Sequence, residues 1–450
     1  MSILTRTIKE LFGSSRRSAP VTDTSQFSIG DLHQKEGGTI ICFFAGSEGN
    51  ALAEGTRAVM APFSSMASRT AFIDLNRTGW RDELTEVLSE PVWFAASAFG
   101  AGQDTAVVRD GRMVNLWESG GVPFVRFFGD TPAYFPDKHV ARFNNSINAY
   151  WDISHAIFYR RWFRAPSLSV VCSTVLIDQM PLEQVDVASK LKGKLIFPKN
   201  GNSPSKLIDY WCMVLPPTMS KALQVLGEES IGLDWINREP CFDDRIVRYF
   251  YGQGVDIAAE PAVLCFLVAQ LDDYLRRVKS TMIGEALLDL PITIRGRFWD
   301  HVNFRGMRAT YDPNSDVAST LPLIDQAPAV IDMSPNTQHS PHNRIWQAVG
   351  RGTAFLTNRL EYFDATLPVA DRCTFDFERE AIHNLVEHYV THPKEAVDLG
   401  LEQARILRPV FDEAPYVNTV LTAVQLVAMR LGGRPPETQN FVDFPPKLFS

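Results

Sequence analysis

VIDMSPNTQHSPHNRIWQAVGRGTAFLTN, residues 330 to 358, reads as strand, loop, short helix and strand. Its apolar start is the pattern of a strand buried on both faces of a parallel sheet. Ser340 is a good N-cap, Pro341 is favoured at the first helical position, and Ile345, Ala348 and Val349 mark the apolar face of a helix over 341–349. Gly350 and Gly352 are stop signals before a strand at 353–357. Strand, helix and strand in this order form a βαβ unit, and in such sheets ligands bind beyond the carboxyl ends of the strands. The loop 334–342 therefore falls where a ligand sits.

The helix start carries His342 and Arg344 and no acid. The positive end of a helix dipole disfavours cations there by a few tenths to ~1 kcal/mol each. An oxyanion, most economically a diphosphate, would turn that cost into a gain, because unpaired backbone N–H groups and two side-chain donors would converge on it. The alternative is that both side chains face solvent or pair with distant carboxylates.

Working outward, apolar β-branched runs at 39–44, 71–74, 92–95, 122–128 and 168–177 are separated by segments long enough for crossover helices. That alternation predicts a doubly wound α/β domain over 37–205, after a Ser-, Thr- and Gly-rich tail or linker at 1–36. After WCMVL (211–215), read as a first strand, helical spacing dominates 206–290, with Val263, Phe266, Leu267, Leu271 and Leu275 opposite Asp272, Asp273, Arg276 and Arg277. Strand patterns return at 291–295 and 328–333. A second Rossmann-like domain over 206–395 follows, its first part a helical insertion or lid, with residues 396–450 as helices packing back on the domains. The fold class is α/β.

For 450 residues, a hydrophobic fraction of 45% and a net charge of −8 describe a globular chain and argue against a nucleic-acid binder, whose footprint is basic. Six scattered cysteines form no metal-ligand spacing and read as reduced core residues, which with the absence of a signal-like start points to the cytoplasm. Ile3, Leu4, Ile8, Leu11 and Phe12 beside Arg6, Lys9, Arg16 and Arg17 would allow weak peripheral membrane contact through residues 3–17.

The opening stretch resembles the carboxyl-half motif of bacterial GT-B-fold glycosyltransferases, in the CgeB-like, family 1-type group. The matching residues are Ser334-Pro335-Asn336, His339, His342-Asn343-Arg344, Ala348, Gly352 and Thr357-Asn358, in one gapless frame. PITIRGRFW (291–299), with Gly296 and Trp299, resembles the element preceding that motif, and GVPFVRFFGDTPAYF (121–135) resembles the group's strand and Asp-x-Pro turn. The segment 375–407, with its His-Pro and Glu, resembles the group's terminal helices. The resemblance covers about residues 290–410 well and the amino half loosely. Three positions depart from it: Asn343 and Asn358 stand where the group carries Glu and Asp, and Gln347 stands where related enzymes hold ribose with an acid.

The resemblance implies two Rossmann-like domains of GT-B type and transfer of a sugar from a nucleotide-sugar donor to a protein, glycan or other surface acceptor. Neither metal nor cofactor is expected. His342 and Arg344, with the loop amides, would hold the donor diphosphate and stabilise the leaving group. Ser334, Asn336, His339, Ser340, Asn343 and Gln347 complete the donor set, with His339 near the sugar and Arg295 and Gly296 bordering the nucleotide. Asp130, at a strand end, is the candidate general base, against an Asx-type turn before Pro132. His139 and His155 have aromatic neighbours and read as packing. Gly46-Ser47-Glu48-Gly49 allows close approach of an acceptor, Lys199-Asn200-Gly201 reads as an inter-domain hinge, and Lys221 could reach the diphosphate or lie in solvent. Asp243-Asp244 and Asp272-Asp273 lack the setting of a metal-binding acidic pair, and the second reads as a solvated face. The neutral residues at 343, 347 and 358 keep a catalytically silent glycan- or partner-binding protein as an alternative, beside a nucleotide-sugar epimerase.

Overall fold

A computed structural model describes residues 34–45, 51–109, 111–140, 143–163, 167–172, 179–232, 242–334, 336–337, 339–411 and 413–431. The expected amphipathic segment 3–17, the Gly46–Gly49 loop, Pro335 and Cys241 lie outside them.

The first sheet is built from β1 (Gln34–Phe44), β2 (Arg69–Asp74), β3 (Val92–Ala98), β6 (Phe124–Phe128), β7 (Ser146–Tyr150) and β8 (Leu168–Val171); between β3 and β6 a separate hairpin holds β4 (Ala106–Arg109) and β5 (Arg112–Asn115). Its order is β2-β1-β3-β6-β7-β8 and every pairing is parallel. The continuous apolar run of β1 follows from cover on both faces. Ile40 and Cys42 join one cluster with Tyr416, Val420 and Val424 of the helix Glu413–Leu431, while Ile41 and Phe43 join another with Leu84 and Trp117.

The second sheet contains β9 (Ile196–Pro198), β10 (Thr293–Arg295), β11 (Thr310–Asp312), β12 (Ala329–Ile331), β13 (Ala354–Asn358) and β14 (Thr374–Phe375). Its order is β11-β10-β9-β12-β13-β14, again all parallel. Winding reverses at β1/β3 in one sheet and at β9/β12 in the other, and those switch points open ligand crevices at the carboxyl ends. Two Rossmann-like domains in one chain, with a helical block and C-terminal helices, form the α/β architecture of GT-B type.

Several local expectations are corrected. Residues 196–198, read as part of the first domain, pair with β10 and β12, so the chain enters the second sheet before residue 205. WCMVL does not open a strand: Trp211 to Val214 end the helix Pro204–Val214, capped by Ser203 with Pro204 in its first turn. The helical block 204–286 buries Leu207, Trp211 and Leu264 against Phe128 and Tyr150 of the first domain. Its last helix, Pro261–Ala286, is 26 residues long and reaches the other domain, where Ile283 and Ala286 join the core of β9, β10 and β12. Asp272 sits mid-helix and is buried, not solvated as its charge pattern suggested, because both domains converge on that turn. Cys42, Cys172, Cys265 and Cys373 are buried free thiols, whereas Cys212 is exposed. Among the described residues no helix is long and apolar enough to cross a membrane.

Candidate functional site

β12 ends at Ile331, and the next residue, Asp332, is fully buried. Its Oδ2 accepts from His342 Nδ1 at 2.9 Å and its Oδ1 accepts from Arg344 Nη1. The acid missing from the first turn of the helix Asn343–Gly350 is thus supplied by the preceding strand. Burial alone raises the Asp332 carboxyl, but Arg344, His342 and Lys199 outweigh it and hold it far below the ordinary carboxylate range. Burial dominates at His342 and lowers its pKa despite Asp332, so the imidazole is neutral at pH 7. With Nδ1–H donated to Asp332, Nε2 is left as an acceptor. Both side chains expected to donate to a diphosphate are thus engaged within the protein: His342 is neutral with Nδ1–H given to Asp332, and Arg344 holds one carboxylate oxygen.

The helix begins two residues later than the sequence suggested. His342 is the N-cap, with no side-chain cap bond, while the Ser340 carbonyl accepts from Thr337 Oγ1 at 2.9 Å inside the loop. Ser334 is buried: its hydroxyl bonds Thr337 and its amide donates to Asn358 Oδ1 at 2.7 Å. Asn358 Nδ2 in turn donates to the Arg359 carbonyl at 3.1 Å, which a carboxylate at that position could not do.

Asn336 adopts a left-handed backbone (φ 57), a conformation asparagine tolerates. Its Nδ2 donates to Asp272 Oδ1 at 2.9 Å, and its Oδ1 accepts from Lys279 Nζ at 2.7 Å, which fastens the loop to the long helix. Ser334 and Asn336 therefore shape the loop from within. Burial lowers the Lys279 pKa to about 7.

At the other side of the switch point, Lys199 follows β9. Its backbone N–H donates to the Arg295 carbonyl at 2.8 Å, and Gly201 N–H donates to the Arg297 carbonyl at 2.9 Å. The 199–201 turn is thus tied into the second domain and does not form the expected hinge. Gly296 (φ 145) passes so close that a Cβ there would lie 2.3 Å from the Lys199 carbonyl oxygen. Arg295 is buried and held by Asp312, Ser319 and Thr320, so it frames the crevice more than it reaches into it. The Lys199 ammonium has no hydrogen-bond acceptor among the described residues. Burial, then Arg344 and Arg276, lower its pKa to about 8.

Across the cleft, Asp130 follows β6 and its Oδ1 accepts from Arg276 Nη1 at 3.0 Å. Burial raises the Asp130 carboxyl, but Arg276 more than offsets it and the net shift is downward, which makes it a weak base. Arg276 also pairs with Asp272 at 2.7 Å, and Tyr134 Oη donates to Asp272 at 2.7 Å. Asp152 Oδ2 accepts the His339 backbone N–H at 3.3 Å, and the His339 imidazole lies 3.5 Å from Glu361. His139 is packed among Phe128, Tyr150 and Phe163 and its pKa falls to about 3, in line with a packing role. Lys221 is exposed on the helix Pro217–Gly232 and lines neither cavity described next.

Two cavities meet at the helix start. One, of about 330 Å³, lies between the domains and takes in Asp130, Trp151, Asp152, Ser340, Arg276 and Pro341. The other, of about 260 Å³, lies in the second domain between Asn200, Arg295, Gly296, Arg344 and Gln347. Lys199, His342 and Asn343 line both. Of the residues expected at the site, Asp130, Ser340, His342, Asn343, Arg344, Gln347, Arg295 and Gly296 come to these walls, whereas Ser334, Asn336 and His339 do not. Sequence reasoning missed Asp332, Lys199 as a ligand, Arg276 and Asp152. The signal for Asp332 was present: a lone carboxylate at the carboxyl end of an apolar strand.

No protein-family model matches the chain, and no curated protein matches it. Among solved structures it is similar to MurG of Acinetobacter baumannii, with a TM-score of 0.33 and 9% identity over 87% of this chain and 99% of that one. It is similar also to Anabaena Alr3699/HepE in complex with UDP and glucose, with a TM-score of 0.36 and 11% identity over 88% of this chain and 99% of that one. Likenesses this distant carry no weight for the chemistry, which rests on the cleft itself.

Proposed function

We propose that the protein is a metal-independent glycosyltransferase that moves a sugar from a nucleotide-sugar donor to a hydroxyl of a glycan or protein acceptor. One observation carries the reading: Lys199, an ammonium without an acceptor among the described residues, stands beside Arg344 and the helix start where the two cavities join. That is the chemistry of a diphosphate site. The nucleotide then occupies the cavity of the second domain, bordered by Gly296, Asn343 and Gln347, and the acceptor enters between the domains.

In this reading the acceptor oxygen bonds to the anomeric carbon as the bond to the diphosphate oxygen breaks, with inversion. The acceptor proton passes to His342 Nε2, whose ring Asp332 orients as a buried carboxylate orients the base of a catalytic triad. Lys199 and Arg344 meet the charge that develops on the departing nucleoside diphosphate. Asp130, ion-paired with Arg276, positions the acceptor. The test is release of nucleoside diphosphate from UDP-, GDP- and dTDP-sugars, with and without a panel of saccharide and peptide acceptors. Acceptor-dependent release supports transfer, and the absence of release from every donor ends this reading.

A further inference from the structure

The chain carries a second cluster of ligand-type side chains, away from the cleft. His388 lies in the last turn of the helix Arg379–Thr391, His392 closes that helix, and Glu395 lies in the first turn of the helix Pro393–Leu407. Pro393 forces the break: it cannot continue the first helix but suits the first turn of the second. The chain turns there, and Glu395 comes back over His388, with Nε2 to Oε2 at 3.0 Å. The two imidazoles stack with centroids 4.8 Å apart and planes 28° from parallel. One ligand atom from each of the three residues lies within 4.8 Å of the others. None of the three lines either cavity.

We infer that His388, His392 and Glu395 form a surface site for a divalent transition ion, with zinc the best match. Two imidazoles and a carboxylate are a borderline-soft donor set that suits zinc, and a fourth, water-filled position completes the tetrahedron. Ligands on a tetrahedral zinc with bonds of about 2.0–2.1 Å stand about 3.3 Å apart, so binding turns the exposed imidazoles out of their stacked arrangement until the three lone pairs converge. A second feature favours binding. His392 Nδ1 lies 2.9 Å from both the His388 carbonyl and the Thr391 hydroxyl, and its donation to the carbonyl favours the tautomer that leaves Nε2 as the lone-pair donor. Carbonyl bonds of this kind orient metal-binding histidines. The ion takes the place of the proton shared by His388 and Glu395 and clamps the two helices at their joint. Beyond that joint the chain returns to the first domain through the helix Glu413–Leu431.

The experiment is calorimetric titration of the full chain, stripped by chelator and dialysed into a non-coordinating buffer, with zinc chloride. Thermal unfolding is recorded with and without the metal. The expected result is one saturable equivalent, weakened about tenfold or more in His388→Gln and in His392→Gln, with a zinc-dependent rise in Tm that both variants lose. Cys212→Ser, which removes the exposed thiol, leaves binding unchanged. Metal-free Tm values equal to the parent's show that the variants fold. Absence of saturable binding, binding that survives both histidine changes, or binding lost in Cys212→Ser alone overturns the proposal.

Discussion

Asp332 and His342, ten positions apart in the chain, share a 2.9 Å hydrogen bond that joins the end of β12 to the start of the helix it feeds. With Arg344 on its other oxygen, Asp332 is a buried carboxylate with both oxygens occupied. This relationship sets the tautomer of His342 and the direction of its free nitrogen, while burial keeps the ring neutral.

Asp332→Asn removes the counter-charge of a buried pair, and loss of one partner costs about 3 kcal/mol or more. The native carboxyl titrates below the unfolded value of about 3.9. Its stabilisation is therefore fully present above that value and lost as pH falls through the native pKa. Chemical unfolding between pH 3 and 7 should show a lower midpoint for Asp332→Asn at neutral pH and a shallower acid slope than for the parent. Parallel slopes would show that Asp332 is not coupled to folding.

His342→Gln should lower kcat by about 10²- to 10⁴-fold, the range of a lost general base, with KM for the donor little changed. Because the imidazole titrates below its ordinary value of about 6.5, the parent rate should be level across neutral pH and fall only in acid. Initial rates from pH 5 to 8 check both points. A variant with undiminished kcat would move the base to Asp130.

Lys279 is buried with a pKa near 7, far below an unfolded lysine, so the unfolded state binds more protons from about pH 7 to 10. Stability contributed by this position therefore rises with pH across that window. Lys279→Met should flatten the rise, and Asn336→Ala, which removes the acceptor of Lys279 and the donor to Asp272 Oδ1, should cost about 1–3 kcal/mol. Urea midpoints at pH 7 and 9 measure both.

The sequence-level reading of this region was sound where the signal was local. The βαβ unit at 330–358 and the buried strands at 39–44, 92–95 and 122–128 follow from periodicity, and each has a counterpart in β12, β13, β1, β3 and β6. The short strands β9, β11 and β14 did not announce themselves, because two or three residues carry no periodicity. The site was half legible for a related reason. His342 and Arg344 stood out as an electrostatic misfit, but their partner Asp332 lies just past the end of β12, and Lys199, Arg276 and Asp152 arrive from segments 66 to 190 positions away from His342. Asp272 was misread because helical spacing alone does not reveal that a second domain covers its polar face.

The diphosphate site is tested most directly by calorimetric titration of the protein with UDP, GDP, dTDP and their sugars at pH 7 and 9. A nucleoside diphosphate should bind, and Lys199→Met and Arg344→Ala should each lose about 1.5–3 kcal/mol of affinity, the worth of a charge-assisted contact. Parental affinity should decline as pH rises through about 8, where Lys199 loses its proton, and Lys199→Met should lack this decline. Absence of binding by every nucleotide, or full affinity in both variants, would contradict a diphosphate site here.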